Sequence, residues 1–194
     1  MIKLLTFIVF IIIIILYNPI KDIIIRKILR EMLINIVNIF NKHNIYYWVD
    51  FGTLLGIYRE KDIILGDNDI DICILDTDKT HEIIKTKITF DLNKYNYIIK
   101  KLDWDAYRIY YYIGSGQFFA DIYINKIKDK TIIGATGKNS NISKDKIGKV
   151  RKIKWNNLYV SVPENINETL KWRYGDDYMT PKYKFKGRDS KIAL

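Results

Sequence analysis

The feature that most limits what this chain can fold into is the alternation Asp67-Asn68-Asp69-Ile70-Asp71-Ile72-Cys73-Ile74-Leu75. Successive side chains of a strand point to opposite faces, so Asp67, Asp69 and Asp71 share one face and Ile70, Ile72 and Ile74 the other. The isoleucine face has to pack; the carboxylate face has to find a cation, because like charges at this spacing raise one another's pKa unless Lys, Arg or a divalent metal lies among them. Hard Mg²⁺ or Mn²⁺ takes oxygen ligands, typically one or two carboxylates plus substrate phosphates, which makes Asp69 and Asp71 the natural pair. Asp67, in the turn Gly66-Asp67-Asn68, reads as a ligand, a turn former or both, with the turn preferred.

Upstream, Asp50-Phe51-Gly52-Thr53 closes the apolar run Ile45 to Val49 and precedes a short helix, Leu54 to Arg59. Gly52 lets the backbone bend and lets a phosphate approach, and the first N–H groups of the helix then face an anion. Gly52 and Thr53 are therefore candidate phosphate binders, and Arg59 and Lys61 are placed near the same cleft, Arg59 being suited to bidentate phosphate contacts. The alternative for both cations is a solvated position at a helix C-terminus, where positive charge is favoured anyway.

In these residues the chain resembles the LicD/fukutin family of phosphotransferases, itself similar to the wider nucleotidyltransferase superfamily that includes DNA polymerase beta. The resemblance lies in Gly52-Thr53-Leu54-Leu55-Gly56, Arg59 and Asp67-Asn68-Asp69-Ile70-Asp71, with Leu65-Gly66-Asp67-Asn68-Asp69 where the family often has Pro-Trp-Asp-Asp-Asp. It extends to Asp121 in Phe119-Ala120-Asp121-Ile122-Tyr123, and to a late block from Val162-Pro163 to Tyr174-Gly175-Asp176-Asp177-Tyr178. It implies an α/β, polymerase-beta-like mixed sheet flanked by helices. It also implies a third metal carboxylate, Asp121, and a loop at Tyr174 and Gly175 that closes on substrate. On composition alone that loop would be an ordinary surface turn. Asp121 lies on an apolar strand, where a lone carboxylate is costly unless paired or metal-bound. An ion pair with Arg108 on the neighbouring strand is the alternative, and the metal reading, with Asp69, Asp71 and Asp121 as catalytic ligands, is preferred.

The chain has 194 residues, about one domain, and is 48% hydrophobic, enough to bury a core. The net charge of +10 calls for an anionic partner without choosing among nucleic acid, acidic membrane and nucleotide diphosphate. A single cysteine, Cys73, excludes an intrachain disulfide and a cysteine zinc cluster. Residues 4–17 form an apolar run broken only by Thr6. The run is short beside the roughly 17–25 residues of a full span, and no small-residue cleavage site follows it. Residues 1–19 are accordingly expected to be an uncleaved transmembrane anchor and residues 20–194 the catalytic domain. Lys21, Arg26, Lys27 and Arg30 argue for a cytoplasmic domain. The fukutin-like resemblance and the sequons at Asn141 and Asn167 point instead to the Golgi or endoplasmic reticulum lumen, so the side stays open.

Helical spacing predicts an amphipathic helix from Pro19 to about Asn41 and short helices over 80–87 and 164–172. Strands are predicted at 45–50, 69–75, 96–102, 107–113, 118–125 and 150–161, with a loop over 125–149. The aromatic run Tyr107, Tyr110, Tyr111 and Tyr112 is read as core and sheet surface rather than as a base-stacking platform. The resemblance implies transfer of a phospho-alcohol from a nucleotide-diphosphate-linked donor, such as a CDP-alcohol, to a glycan hydroxyl with Mg²⁺ or Mn²⁺; the residues do not identify the general base, for which Asp67, Asp121 and a metal-lowered hydroxyl pKa are the alternatives. Two other classes stay open: a nucleotidyltransferase acting on RNA, which the anchor argues against, and a non-catalytic glycan- or phosphate-binding protein, which the three carboxylates argue against.

Overall fold

The computed structural model describes residues 2–77, 79–135 and 140–181, with side chains from residue 18 onward. Helix α1 runs from Ile2 to Lys42 and passes through Pro19. The apolar run proposed as an anchor, residues 4–17, lies outside the residues whose side chains are described. Among the described residues no helix is long and apolar enough to cross a membrane.

The second half of α1 behaves as its spacing predicts. Leu29, Met32, Leu33, Ile36, Val37 and Phe40 recur at three- and four-residue intervals and are buried, and the helix packs on the sheet strands β2 (Asp69–Leu75) and β5 (Gly116–Lys128). At about 1.5–3 kcal/mol for each buried side chain, the sheet holds this half whatever Pro19 costs upstream. Arg26 and Arg30 do more than set charge balance, because they pair with Glu60 (2.8 Å) and Asp62 and tie α1 to the loop after α2 (Phe51–Arg59). The helix ends where Asn44 takes a left-handed φ of 53° and the Ile45 N–H donates to the Phe40 carbonyl at 2.9 Å.

The architecture is mixed α/β with a mostly antiparallel sheet. Strands β1 (Tyr47–Val49), β2, β5, β4 (Ala106–Ile113) and β3 (Ile98–Lys101) lie in the spatial order β1-β2-β5-β4-β3. Only β2 and β5 pair in parallel among these, with Asp69 opposite Phe119, Asp71 opposite Asp121 and Cys73 opposite Tyr123. Ile70, Ile72, Ala120, Ile122 and Ile109 face α1 in the core, so the aspartates are turned to the other face.

Several predicted elements change. The strand expected at 150–161 is a hairpin, β8 (Val150–Trp155) and β9 (Leu158–Pro163), turning through Asn156 and Asn157. Asn156 has a φ of 50°, the conformation that a two-residue hairpin turn demands. The expected loop over 125–149 holds the end of β5, the strands β6 (Thr131–Ile133) and β7 (Ile142–Ser143), and α5 (Lys144–Ile147). The short helix at Thr80 continues to Asn93 through a π-helical turn at Ile84–Ile88. The last helix is displaced by two residues, α6 being Ile166–Tyr174. The aromatic run is split by the pleat: Tyr107 is buried and Tyr111 packs on the core, whereas Tyr110 and Tyr112 stand on the opposite face.

Candidate active site

The turn between β1 and α2 is built by Asp50. Its backbone N–H donates to the Asp71 carbonyl (3.2 Å) and its carbonyl accepts from the Leu54 N–H (3.1 Å). Its carboxylate caps the helix by accepting from the Phe51 N–H at 2.8 Å. This diversion is why the strand predicted to Asp50 stops at Val49. Phe51 takes a φ of 47°, left-handed for a residue with a bulky side chain. Such strain, of order 1–3 kcal/mol, persists only where surroundings over-determine it. Here they do: the Arg173 guanidinium lies 4.2 Å from the ring centroid and the Tyr123 ring 5.4 Å away.

The bend delivers Gly52 and Thr53 to the acidic strand. The Gly52 N–H donates to Asp71 Oδ2 at 3.3 Å, and the Asp71 N–H donates to Thr53 Oγ1 at 2.8 Å. A Cβ at Gly52 would stand 2.8 Å from Asp67 Oδ2 and 3.7 Å from Asp71 Oδ2, so a side chain there would displace the Asp67 carboxylate. Asp67 is both of the things its sequence position allowed. One oxygen accepts from the Asn68 N–H at 3.0 Å and forms the turn, and the other looks into the site beside Gly52. Burial, with the charges of Asp69 and Asp71 added, pushes the Asp67 carboxyl up to about 8.

Asp121 stands directly across from Asp71 on the parallel strand, and both side chains are buried. Arg108 donates to both oxygens of Asp121, Nε to Oδ1 at 2.6 Å and Nη2 to Oδ2 at 2.8 Å. The ion pair weighed against a metal role for Asp121 is therefore formed. The Tyr123 hydroxyl donates to Asp71 Oδ1 at 2.8 Å. Burial first, and then Asp71 and Asp121, holds its pKa well above the usual phenol value, so it stays a donor. Tyr174, buried at the end of α6, is raised in the same way by burial and by Asp71, Asp50 and Asp67. Gly175 caps α6 with a φ of 89°.

Arg59 and Lys61 are not brought to the carboxylates. They lie at the opposite end of α2, about 12 Å along the axis from Phe51 at 1.5 Å per residue. Arg59 donates to Glu60 Oε1 at 3.0 Å and to the Tyr178 carbonyl at 3.3 Å, and Lys61 donates to the Tyr58 carbonyl at 2.8 Å. One helix is too long to put both its ends at one phosphate. Sequence reasoning missed Tyr123 as a partner of Asp71, and Arg173 altogether. Tyr123 was recoverable from the period of two that aligns it with Asp121. Arg173 carried no local signal, since it meets Asp50 across 123 positions.

The donor set fits a hard divalent cation, being oxygen-only and crowded enough that Asp67 is driven toward its neutral form. Asp69 and Asp71, with Asp67 and Asp121 adjoining, are the residues that would hold it. Among the described residues, these carboxylates included, no group of three or more His, Cys, Asp or Glu is arranged as a metal site.

A family model described as LicD/FKTN/FKRP, nucleotidyltransferase domain, matches residues 44–165. An uncharacterised protein of Rickettsia typhi (strain ATCC VR-144 / Wilmington) is 34% identical over 98 residues, covering 48% of this chain and 28% of that protein. An uncharacterised protein of Rickettsia prowazekii (strain Madrid E) is 46% identical over 43 residues, covering 22% of this chain and 16% of the relative. The chain thus matches well under a third of the length of these curated relatives. The solved structure of ANT(2")-Ia in complex with adenylyl-2"-tobramycin is 14% identical, with a TM-score of 0.37 over 53% of this chain and 52% of that one. A likeness at that level bears on no part of the site.

Proposed function

From the premise that the chain belongs to the LicD/FKTN/FKRP nucleotidyltransferase family, we propose that it is a metal-dependent phosphotransferase moving a phospho-alcohol from a CDP-linked donor to a glycan hydroxyl. It would work beside a membrane to which residues 4–17 tether it. The observation that carries this reading is the meeting of Asp71 and Asp121 in parallel register under the Gly52 turn.

In the reaction the acceptor oxygen bonds to the phosphorus bearing the alcohol. The bond from that phosphorus to the bridging oxygen breaks, CMP leaves with the electron pair, and the hydroxyl proton goes to a site carboxylate. Mg²⁺ or Mn²⁺, when bound, supplies neutralisation of the diphosphate and of the developing charge. Asp69 and Asp71 would hold that ion, and the bare Gly52 lets the Asp67 and Asp71 carboxylates close on the turn, a Cβ there standing 2.8 Å from Asp67 Oδ2. The Tyr123 hydroxyl and the Gly52 N–H fix the orientation of the Asp71 carboxylate. Of the two carboxylates considered as bases, Asp121 has both oxygens engaged by Arg108, which leaves Asp67 as proton acceptor once it has given up the proton that burial and its acidic neighbours hold on it.

The test is to incubate the full chain in detergent micelles with Mg²⁺ and a panel of CDP- and UDP-linked alcohols, and to measure release of CMP or UMP. Release from a CDP-alcohol by the wild type, lost in Asp69→Asn/Asp71→Asn, is expected. Silence across the panel, or release by the double variant at the wild-type rate, overturns the proposal.

A further inference from the structure

The Asp50–Arg173 pair is the most deeply buried ion pair among the described residues, with side chains 0% and 6% exposed. Arg173 donates to both carboxylate oxygens, Nη2 to Oδ2 at 2.8 Å and Nε to Oδ1 at 3.3 Å, and Nη1 donates to the Ser140 carbonyl at 2.9 Å. Its flat face covers the ring of Phe51 at 4.2 Å. The Trp48 indole N–H approaches Asp50 Oδ2 at 3.3 Å as well. Arg173, the Trp48 indole and the Phe51 N–H all donate to Asp50, the residue that caps α2.

Energetics argue that stability is not its main use. A buried ion pair commonly contributes no more than well-packed apolar groups of the same volume, because removing both charges from water costs about what their attraction returns. What an apolar pair lacks is direction. The bidentate fork fixes the Asp50 plane, Asp50 fixes the Phe51 N–H, and the guanidinium face holds Phe51 in its left-handed conformation. The next two residues are those that touch Asp71.

We infer that Arg173 is a positioning residue: through Asp50 and Phe51 it sets the first turn of α2 so that the Gly52 N–H and Thr53 Oγ1 meet Asp71 and aim its carboxylate. This rests on the reading of Asp71 as a metal ligand, and it adds a residue of α6 to a site otherwise built from β2, β5 and α2.

Arg173→Met leaves Asp50 buried without its partner and is liable not to fold, so the deciding variant is Arg173→Lys. It keeps the charge and loses the fork and the stacking surface. Three quantities are measured on the full chain: amide exchange by residue, Mg²⁺ affinity by calorimetry, and kcat and KM for nucleotide release. Arg173→Lys is expected to melt within a few degrees of wild type. Exchange at Phe51, Gly52 and Thr53 should be accelerated about tenfold with the core of β5 unchanged. Mg²⁺ affinity or kcat should fall about 10- to 100-fold with KM for the donor nearly constant. Wild-type exchange at those three amides, or an acceleration spread evenly over α6, β2 and β5, overturns the inference. Should the wild type release no nucleotide, the transferase reading fails, while the exchange pattern still decides the positioning role.

Discussion

Asp71 and Asp121 face one another across the only parallel pairing of the β1-β2-β5-β4-β3 path, and Asp121 is at the same time clasped by Arg108 on the strand beyond. The two relationships compete for the same two oxygens. Which one governs the loaded protein is open to measurement.

Arg108→Ala should make the protein dependent on divalent cation. The Arg108 side chain is 27% exposed, so the loss without metal should be about 2–3 kcal/mol, below the roughly 3–5 of a fully buried pair. Saturating Mg²⁺ should restore most of it, because Asp121 then joins Asp71 as a ligand. Paired melts with Mg²⁺ and with EDTA check this. A deficit that Mg²⁺ leaves unchanged would assign Asp121 to the ion pair alone.

Asp67 makes stability depend on pH with a definite sign. Its carboxyl is raised from 3.8 to about 8 in the folded chain, so between those values the native state holds a proton that the unfolded chain has released. The stabilisation is complete below pH 4 and lost as pH rises through 8. In EDTA, wild-type stability should fall across that window and Asp67→Asn should flatten the slope. The shift produced by Mg²⁺ should be larger at pH 8 than at pH 5. Melts over this range, with and without metal, are the check.

Two glycines of α2 should separate function from folding. At Gly52 a methyl group would meet the movable end of Asp67, 2.8 Å away, so Gly52→Ala should cost under about 1 kcal/mol of stability yet lower Mg²⁺ affinity or kcat about tenfold. At Gly56 the same methyl group would stand 2.6 Å from the Asp62 carbonyl and 2.9 Å from the Ile64 N, both backbone, so Gly56→Ala should destabilise by about 1–3 kcal/mol or more. Denaturant titration beside Mg²⁺ calorimetry tells the two apart.

Away from the site, Asp91 clamps the end of α1 by accepting from Lys42 and Lys94, each at 2.6 Å, with His43 at 2.7 Å. Those cations hold its carboxyl well below the ordinary aspartate range, Lys42 contributing most. The resulting stability is present above about pH 4 and drains away as pH falls toward the folded value. Asp91→Asn should therefore be less stable than wild type at pH 7, with the difference narrowing steadily as pH falls below about 4, as acid titration of the two proteins will show.

Much of this was written in the chain order itself. Period two in residues 69–75 settled which face of β2 packs and which carries carboxylates, and the intervals of three and four after Pro19 settled which side of α1 is buried, because both periods follow from local backbone geometry. The Gly52-Thr53 bend was equally local, since the carboxylate of Asp50 caps the helix that starts at the next residue. Three matters were decided by tertiary structure. The engagement of Asp121 by Arg108 required β4 and β5 to pair in one register. The removal of Arg59 from the site follows from the length of α2 once its first turn is fixed. The clamp on that first turn comes from Arg173, 123 positions away from Asp50, a distance across which no periodicity in sequence carries information. Sequence fixes the face a side chain occupies through the dihedral preferences of its own segment, whereas the charge it finally meets is set by how separate segments fold back on one another.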